Sequence, residues 1–326
     1  MPQSPVRPPV PSPLDLARLR REVVSAGPLA RVDVVPEVDS TNAALLADEN
    51  SLAPAARPPH LSALLAEHQT AGRGRLGRQW ESARGASVLV SILLRPPPDP
   101  PLGLSWLPLV AGLATCRALA PLLPTEPVMV WPNDVVVRLP PAAPDRGAQV
   151  PGWGHMRKLA GILAQVPPPR VGQGTPPLDP FQPPALPGIP SRQVNGLRDG
   201  RDAIVLGIGI NVTQGARDLP VPWAASLRTA GAPGADRTDV AIAVLRALAR
   251  HYAAWEAGDP TLRPAIEARC LSVGEDVEAT LPGGTCLRGR GLALDDDGAL
   301  IIASTCGIRG VSAADVRTVR RDASVS

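Results

Sequence analysis

Apolar residues along this chain follow two alternating periods, and the alternation lays out a mixed fold. Leu14 to about Ala26 carries apolar residues at helical spacing (Leu16, Leu19, Val23), and Val32–Val35 reads as a short strand. Asp39-Ser40-Thr41-Asn42 supplies N-cap side chains ahead of an Ala/Leu-rich helix ending near Asp48. Leu61–His68 and Ser87–Arg95 are apolar strands on either side of a Gly/Arg loop, Gln69 to Gly85; a proline-rich run, Pro96 to Pro101, ends the second. Leu104–Leu122 predicts a buried helix. Val128–Trp131 and Val135–Leu139 predict short strands around a Pro-Asn-Asp turn, and Lys158–Val166 and Ala203–Val212 two more buried strands. Asp239–Ala257 is the clearest helix, with Val240, Val244, Leu248 and Tyr252 on one face. After Cys270 the texture changes to short β runs with turn signals (Pro282-Gly283-Gly284, Asp295-Asp296-Asp297-Gly298), which predict a small barrel.

Composition sharpens this picture in three places. The 41 prolines cluster, in residues 1–13 and in Pro140–Met156 and Pro167–Gly200, which read as a tail and two surface insertions. The chain is expected to divide into a flexible tail with a short helix (1–30), a large mixed-sheet domain (31–270, with insertions at 140–156 and 167–200) and a C-terminal barrel (271–326). A net charge of +3 and 2% aromatic residues disfavour a nucleic-acid binder, which needs a basic face and stacking rings. Of the 33 lysines and arginines, one alone is lysine, Lys158. A chain that uses arginine wherever a cation suffices keeps lysine where arginine cannot replace it. Cys116, Cys270, Cys286 and Cys306 show no metal-like spacing and read as buried thiols of a reducing compartment. No apolar run reaches transmembrane length, and the N-terminus lacks the apolar segment of a secretion signal, so a cytoplasmic protein is expected, with no membrane partner.

Four stretches carry candidate chemistry. In Gln69-Thr70-Ala71-Gly72-Arg73-Gly74-Arg75-Leu76-Gly77-Arg78-Gln79-Trp80, glycines let backbone approach a ligand and arginines present forks for carboxylate or phosphate. The phosphate-binding pattern G-x-x-x-x-G-K-[ST] is absent. Trp131-Pro132-Asn133-Asp134 aims two polar side chains from a strand end. Arg157-Lys158-Leu159-Ala160-Gly161-Ile162-Leu163 opens a buried strand with a compact cation. Gly207-Ile208-Gly209-Ile210-Asn211-Val212 alternates glycine along a buried strand, leaving room for a flat ligand group.

With Ser40-Thr41-Asn42, these stretches resemble, in order over roughly residues 35–215, the biotin–protein ligase family. The resemblance implies an α+β fold: a mixed-sheet catalytic domain of the biotin/lipoate ligase type, class II synthetase-like, followed by a small SH3-like β-barrel. It implies an ATP- and Mg2+-dependent ligase that converts biotin to biotinyl-5'-AMP and transfers it to a lysine of a carboxylase's biotin carboxyl carrier domain, with no tightly bound prosthetic group. By the same resemblance, Ser40, Thr41, Asn42, Gln69, Gly72, Arg73 and Gly74 would surround biotin, and Arg78, Trp80, Asn133, Asp134 and Asn211 the ATP, with Trp80 packed on adenine. Lys158 and Arg75, also at the biotin site, would be the catalytic cations. The magnesium ligands are left unassigned. Members that double as repressors carry an N-terminal winged helix, for which the 39 residues before Ser40 are too few; a monofunctional enzyme without DNA binding is expected. Some relatives form homodimers, which this sequence leaves open. The family often has a basic residue where Val130 stands, and Arg138 or Arg157 could supply that charge. The competing readings are a lipoate ligase or octanoyl transferase of the same fold, a non-catalytic biotin sensor, and an RNA-binding Arg-Gly segment.

Overall fold

The computed structural model describes residues 12–139 (except 52, 54 and 56), 149–167 and 203–318 (except 282 and 313). The expected insertions lie outside these residues over 140–148 and 168–202.

Seven strands form one mixed sheet: β1 (Arg31–Val35), β2 (Ser62–Ala66), β3 (Ser87–Leu94), β4 (Val128–Val130), β5 (Asp134–Arg138), β6 (Met156–Gln165) and β7 (Ile204–Asn211). Their order is β1-β2-β3-β7-β6-β5-β4, with β1 parallel to β2 and every other pair antiparallel. The period of two decides what each face does. On β3 and β7, Val88, Val90, Ile92, Ile204, Leu206, Ile208 and Ile210 enter the main core, beneath helices α3 (Leu107–Leu119) and α4 (Arg237–Glu256). The intervening residues face the other way. There helix α2 (Thr41–Glu49) covers one end, where Leu45 packs on Leu93 and Val205. Beyond α2 this second face opens into a pocket.

A β-bulge shapes that face. Between β5 and β6 the register passes from Val135↔Ala160 to Val136↔Lys158, so Leu159 is the extra residue. Strict alternation would put Lys158 and Gly161, three apart, on opposite faces; the bulge brings both onto the pocket side.

The chain opens with a short helix, α1 (Leu16–Leu19), continued as a π-helical turn over Arg20–Ser25. After α5 (Leu262–Arg269), five antiparallel strands follow: β8 (Asp276–Thr280), β9 (Cys286–Leu294), β10 (Leu300–Ser304), β11 (Gly307–Val311) and β12 (Asp315–Thr318), in the order β11-β10-β9-β8-β12. This sheet is not free-standing. Val277, Leu294, Leu300 and Ile302 share one core with the large sheet's helices.

Three expectations need correction. Leu104–Leu122 is apolar and long enough to cross a membrane, contrary to the sequence reading; it is nonetheless packed within the core. Cys116 and Cys270 are buried as expected, but Cys286 and Cys306 are exposed on the barrel. Met156, assigned to the first insertion, is a residue of β6, and Val150–Gly154 just before it forms a bonded turn.

Candidate functional site

The pocket lies on the open face of the large sheet and has a volume of about 530 Å3, within the range of small-molecule sites. Its two ends differ in charge. At one end Ser40 caps α2, and the backbone N–H and hydroxyl of Thr41 both donate to Gln69 Oε1, at 2.8 and 2.9 Å. Ser91 Oγ lies 2.7 Å from Thr41 Oγ1 and 2.6 Å from Asn42 Oδ1. The Asn42 amide donates to Gln165 Oε1 at 2.9 Å and to the Leu163 carbonyl at 3.2 Å, and occupies the space that glycine leaves at position 207. This end is polar and uncharged.

The opposite end is cationic. Lys158 Nζ donates to Asp134 Oδ1 at 2.7 Å, with about a quarter of its side chain exposed. Asn133 is held by the backbone of Ile162: its amide donates to the Ile162 carbonyl at 2.8 Å, and the Ile162 N–H donates to the Asn133 carbonyl at 3.0 Å. Arg75 Nη1 reaches Asn133 Oδ1 at 3.4 Å. Arg73, Arg75 and Arg78 all line the pocket.

The arginine loop is a folded hairpin. Trp80 N–H donates to the Gly72 carbonyl at 3.0 Å and Gly74 N–H to the Arg78 carbonyl at 2.7 Å. Its tip passes through Leu76 and Gly77 at φ 53° and 73°. A Cβ at Gly72 would collide with the Trp80 backbone, so close approach requires glycine there. The hairpin lays Trp80 on the sheet. A Cβ at Gly209 would fall 2.6 Å from the indole, one at Gly161 would fall 3.0 Å from it, and Lys158 Nζ sits 5.9 Å from the ring centre. The room predicted for a flat ligand group is thus filled by this chain's own Trp80 and Asn42. The Trp80 Nε1 is buried with no hydrogen-bond partner among the described residues.

The pocket gathers every sequence-predicted site residue except Gly72, which shapes the hairpin behind it. Asn211 lies at its edge, but its amide donates to the Ala225 carbonyl at 3.1 Å and its Oδ1 accepts from Gln214 at 3.0 Å. Val130 is buried in an apolar cluster with Val136 and Met156, where a basic residue would be costly. Arg157 does not supply the missing charge: it is 1% exposed, and its Nη1 donates to the Gly154 and Met156 carbonyls, away from the pocket. Arg138 does not line the pocket either.

Sequence reasoning missed Ser91, which supports the pocket residues Thr41 and Asn42 from beneath, and the wall formed by Pro220, Val221, Trp223 and Ala224. Ser91 had a signal, a hydroxyl in the apolar run Val88–Leu94; the wall had none beyond a scarce tryptophan. None of the four cysteines lines the pocket, and burial pushes Cys116 and Cys270 up to about 12 and about 11, leaving them as unreactive thiols.

Residues 34–173 match the model of the biotin/lipoate A/B protein ligase family. The chain is 35% identical over 312 residues to the biotin–[acetyl-CoA-carboxylase] ligase of Mycobacterium tuberculosis, covering 94% of this chain and 97% of that one. It is 26% identical over 263 residues to the bifunctional ligase/repressor BirA of Bacillus subtilis, covering 79% of this chain and 66% of that one. The biotin protein ligase of Aquifex aeolicus, solved in complex with biotin and ATP, superposes with a TM-score of 0.62 at 25% identity, over 89% of this chain and 99% of that one. The chain belongs to the biotin–protein ligase family.

Proposed function

We propose that this protein activates biotin with ATP and passes the biotinyl group to a lysine of a carboxylase's carrier domain. The observation that carries the reading is the polarity of the pocket: an uncharged hydrogen-bonding end at Thr41 and Gln69, and a cationic end at Lys158 and Arg75. Biotin has the same polarity, a neutral ureido ring and an anionic carboxylate. In this reading Ser40, Thr41, Asn42 and Gln69 surround the ring, and Arg73, Gly74 and Arg75 close the hairpin over the ligand. Trp80, Arg78, Asn133, Asp134 and Asn211 flank the nucleotide.

The carboxylate must attack an α-phosphate that is itself anionic, and pyrophosphate leaves with the electrons of the bond from the α-phosphorus to the bridging oxygen. The nucleophile is already ionised, so no general base is required; the barrier is repulsion between two anions, and fixed cations lower it. Lys158 does this as a compact charge between two oxygens, once its bond to Asp134 is exchanged for the ligands. The carrier amine then attacks the mixed anhydride at the acyl carbon, and AMP leaves with the bonding electrons. Among the described residues no cluster of three His, Cys, Asp or Glu side chains could hold a metal. That suits a magnesium ion that arrives on the triphosphate, which needs few protein ligands; Asp134 and Asn133 offer oxygens at that end.

The test is transfer of labelled biotin to an apo carrier domain with ATP and Mg2+, with lipoate and octanoate in parallel. Lys158→Ala is expected to slow adenylate formation by about 10²–10³-fold. Lys158→Arg should fail comparably, since a planar fork cannot take the place of a point charge. Transfer of lipoate in place of biotin would sink the proposal.

A further inference from the structure

The connection from β5 to β6 ends in a tight turn with no role in the site as described so far. Val150 N–H donates to the Gly154 carbonyl at 2.9 Å, and Gly154 N–H returns a bond to the Val150 carbonyl at 2.8 Å. The buried Arg157 guanidinium clamps the Gly154 carbonyl at 2.8 Å. This turn presents Trp153, which packs on the peripheral cluster of Val130, Val136 and Met156 rather than on the main core. Its indole stacks on Trp223, with ring centres 6.2 Å apart and planes 8° from parallel.

Trp223 belongs to the pocket wall, and that wall is bonded to the residue proposed to do the chemistry. Lys158 N–H donates to the Trp223 carbonyl at 2.7 Å, and Ala225 N–H donates to the Lys158 carbonyl at 2.8 Å. Pro220, Val221 and Ala224 complete the wall beside Lys158.

We propose that Trp153 is a positioning residue for the nucleotide end of the site: stacked on Trp223, it holds the wall over residues 220–224 against Lys158. Naming that end for the nucleotide rests on the ligase reading above. Biotin meets this wall only through its carboxylate at Lys158, while its ring is held at Thr41 and Gln69, so the effect falls more on ATP than on biotin.

The test measures ATP and biotin binding separately, by calorimetry on the full chain, for wild type, Trp153→Ala and Trp153→Phe, with steady-state adenylation alongside. Trp153→Ala is expected to weaken ATP binding by up to about tenfold, the upper end of what a stacked aromatic pair supplies. Biotin binding should stay within about twofold and kcat should change less than KM for ATP. Trp153→Phe, which keeps a ring against Trp223, should recover most of the ATP affinity. Equal loss for both ligands, no loss for either, or loss in Trp153→Ala that Trp153→Phe does not restore would overturn the inference. A wild type that binds ATP but transfers no biotin would overturn the ligase reading alone, because the binding ratio still tests the stack.

Discussion

Gly209 shows how far a single hydrogen atom sets this site. A methyl group there would fall 2.6 Å from the Trp80 ring and 2.9 Å from its Nε1, on the pocket side of β7 and away from the main core. Overpacking of this kind costs about 1–3 kcal/mol, and the cheapest relief is for the indole to leave. Gly209→Ala is therefore expected to shift the tryptophan emission and to weaken nucleotide binding while leaving the thermal midpoint within a few degrees; unchanged emission and affinity would show that Trp80 does not need that floor. The alternating glycines were legible in the sequence as a demand for space. What fills the space was not, because Trp80 and Asn42 arrive from segments more than a hundred residues away, and no local pattern encodes that meeting. Lys158 was singled out by its rarity. Its placement beside Gly161 was hidden, since it depends on the extra residue at Leu159, and a bulge leaves no mark on an apolar run.

Between elements, polar contacts fix what hydrophobic packing leaves adjustable. The start of α4 is tied to the strand that feeds the arginine hairpin: Arg237 Nη2 donates to Glu67 Oε2 at 2.7 Å, with the arginine buried, and Leu14 N–H donates to Glu67 Oε1 at 2.6 Å. Removing one member of a buried pair strands the other, at a cost of about 3–5 kcal/mol. Glu67→Gln, which strands the buried Arg237 charge, should lower the unfolding free energy by about that much, and Arg237→Met, which leaves the less buried Glu67 still bonded to Leu14, by less, as urea denaturation would show. A second contact makes α4 sensitive to pH. His251 Nδ1 lies 2.7 Å from the Ala247 carbonyl and Nε2 lies 3.0 Å from Arg117 Nη1. Both bonds are satisfied by a neutral ring that donates through Nδ1 and accepts at Nε2. Burial, with help from Arg117, holds His251 below its ordinary value, and burial does the same for His60, whose Nδ1 accepts from the Arg95 N–H at 3.0 Å. The unfolded chain therefore takes up these protons first as pH falls. Stability should be level above about pH 7 and decline below about pH 6.5, by at most about 1.4 kcal/mol per pH unit for each histidine. Urea midpoints across that range would show it, and His251→Gln should flatten part of the decline.

At the scale of the whole molecule, the barrel is docked through the turn read in the sequence only as an end of strands. Trp106 Nε1 donates to the Asp296 carbonyl and Trp131 Nε1 to the Gly298 carbonyl, both at 2.8 Å, while Leu271 N–H donates to the Met129 carbonyl at 2.7 Å. Two tryptophans of the large domain thus grip one acidic turn, and a single apolar core runs beneath both sheets. The elements of each sheet were legible from alternation and turn signals. The docking was not, because a buried tryptophan looks the same in a sequence whether its N–H meets its own domain or another. The described chain is expected to melt in one calorimetric transition, with Trp131→Phe lowering its stability by about 1–2 kcal/mol and leaving the transition single; two resolved peaks would show that the barrel folds on its own. The distribution of amines across this same surface has a further consequence. The activated biotinyl group is an electrophile for lysine, yet the molecule that makes it offers a single side-chain amine, already engaged with Asp134 inside the pocket. Reagent that escapes the pocket meets no second lysine, and the guanidinium of arginine does not acylate at neutral pH. Self-labelling on lysine is thereby confined to the pocket, leaving the terminal amine and the exposed thiols of Cys286 and Cys306 as the other acyl acceptors, and an amine-directed label found on a lysine reports on the site.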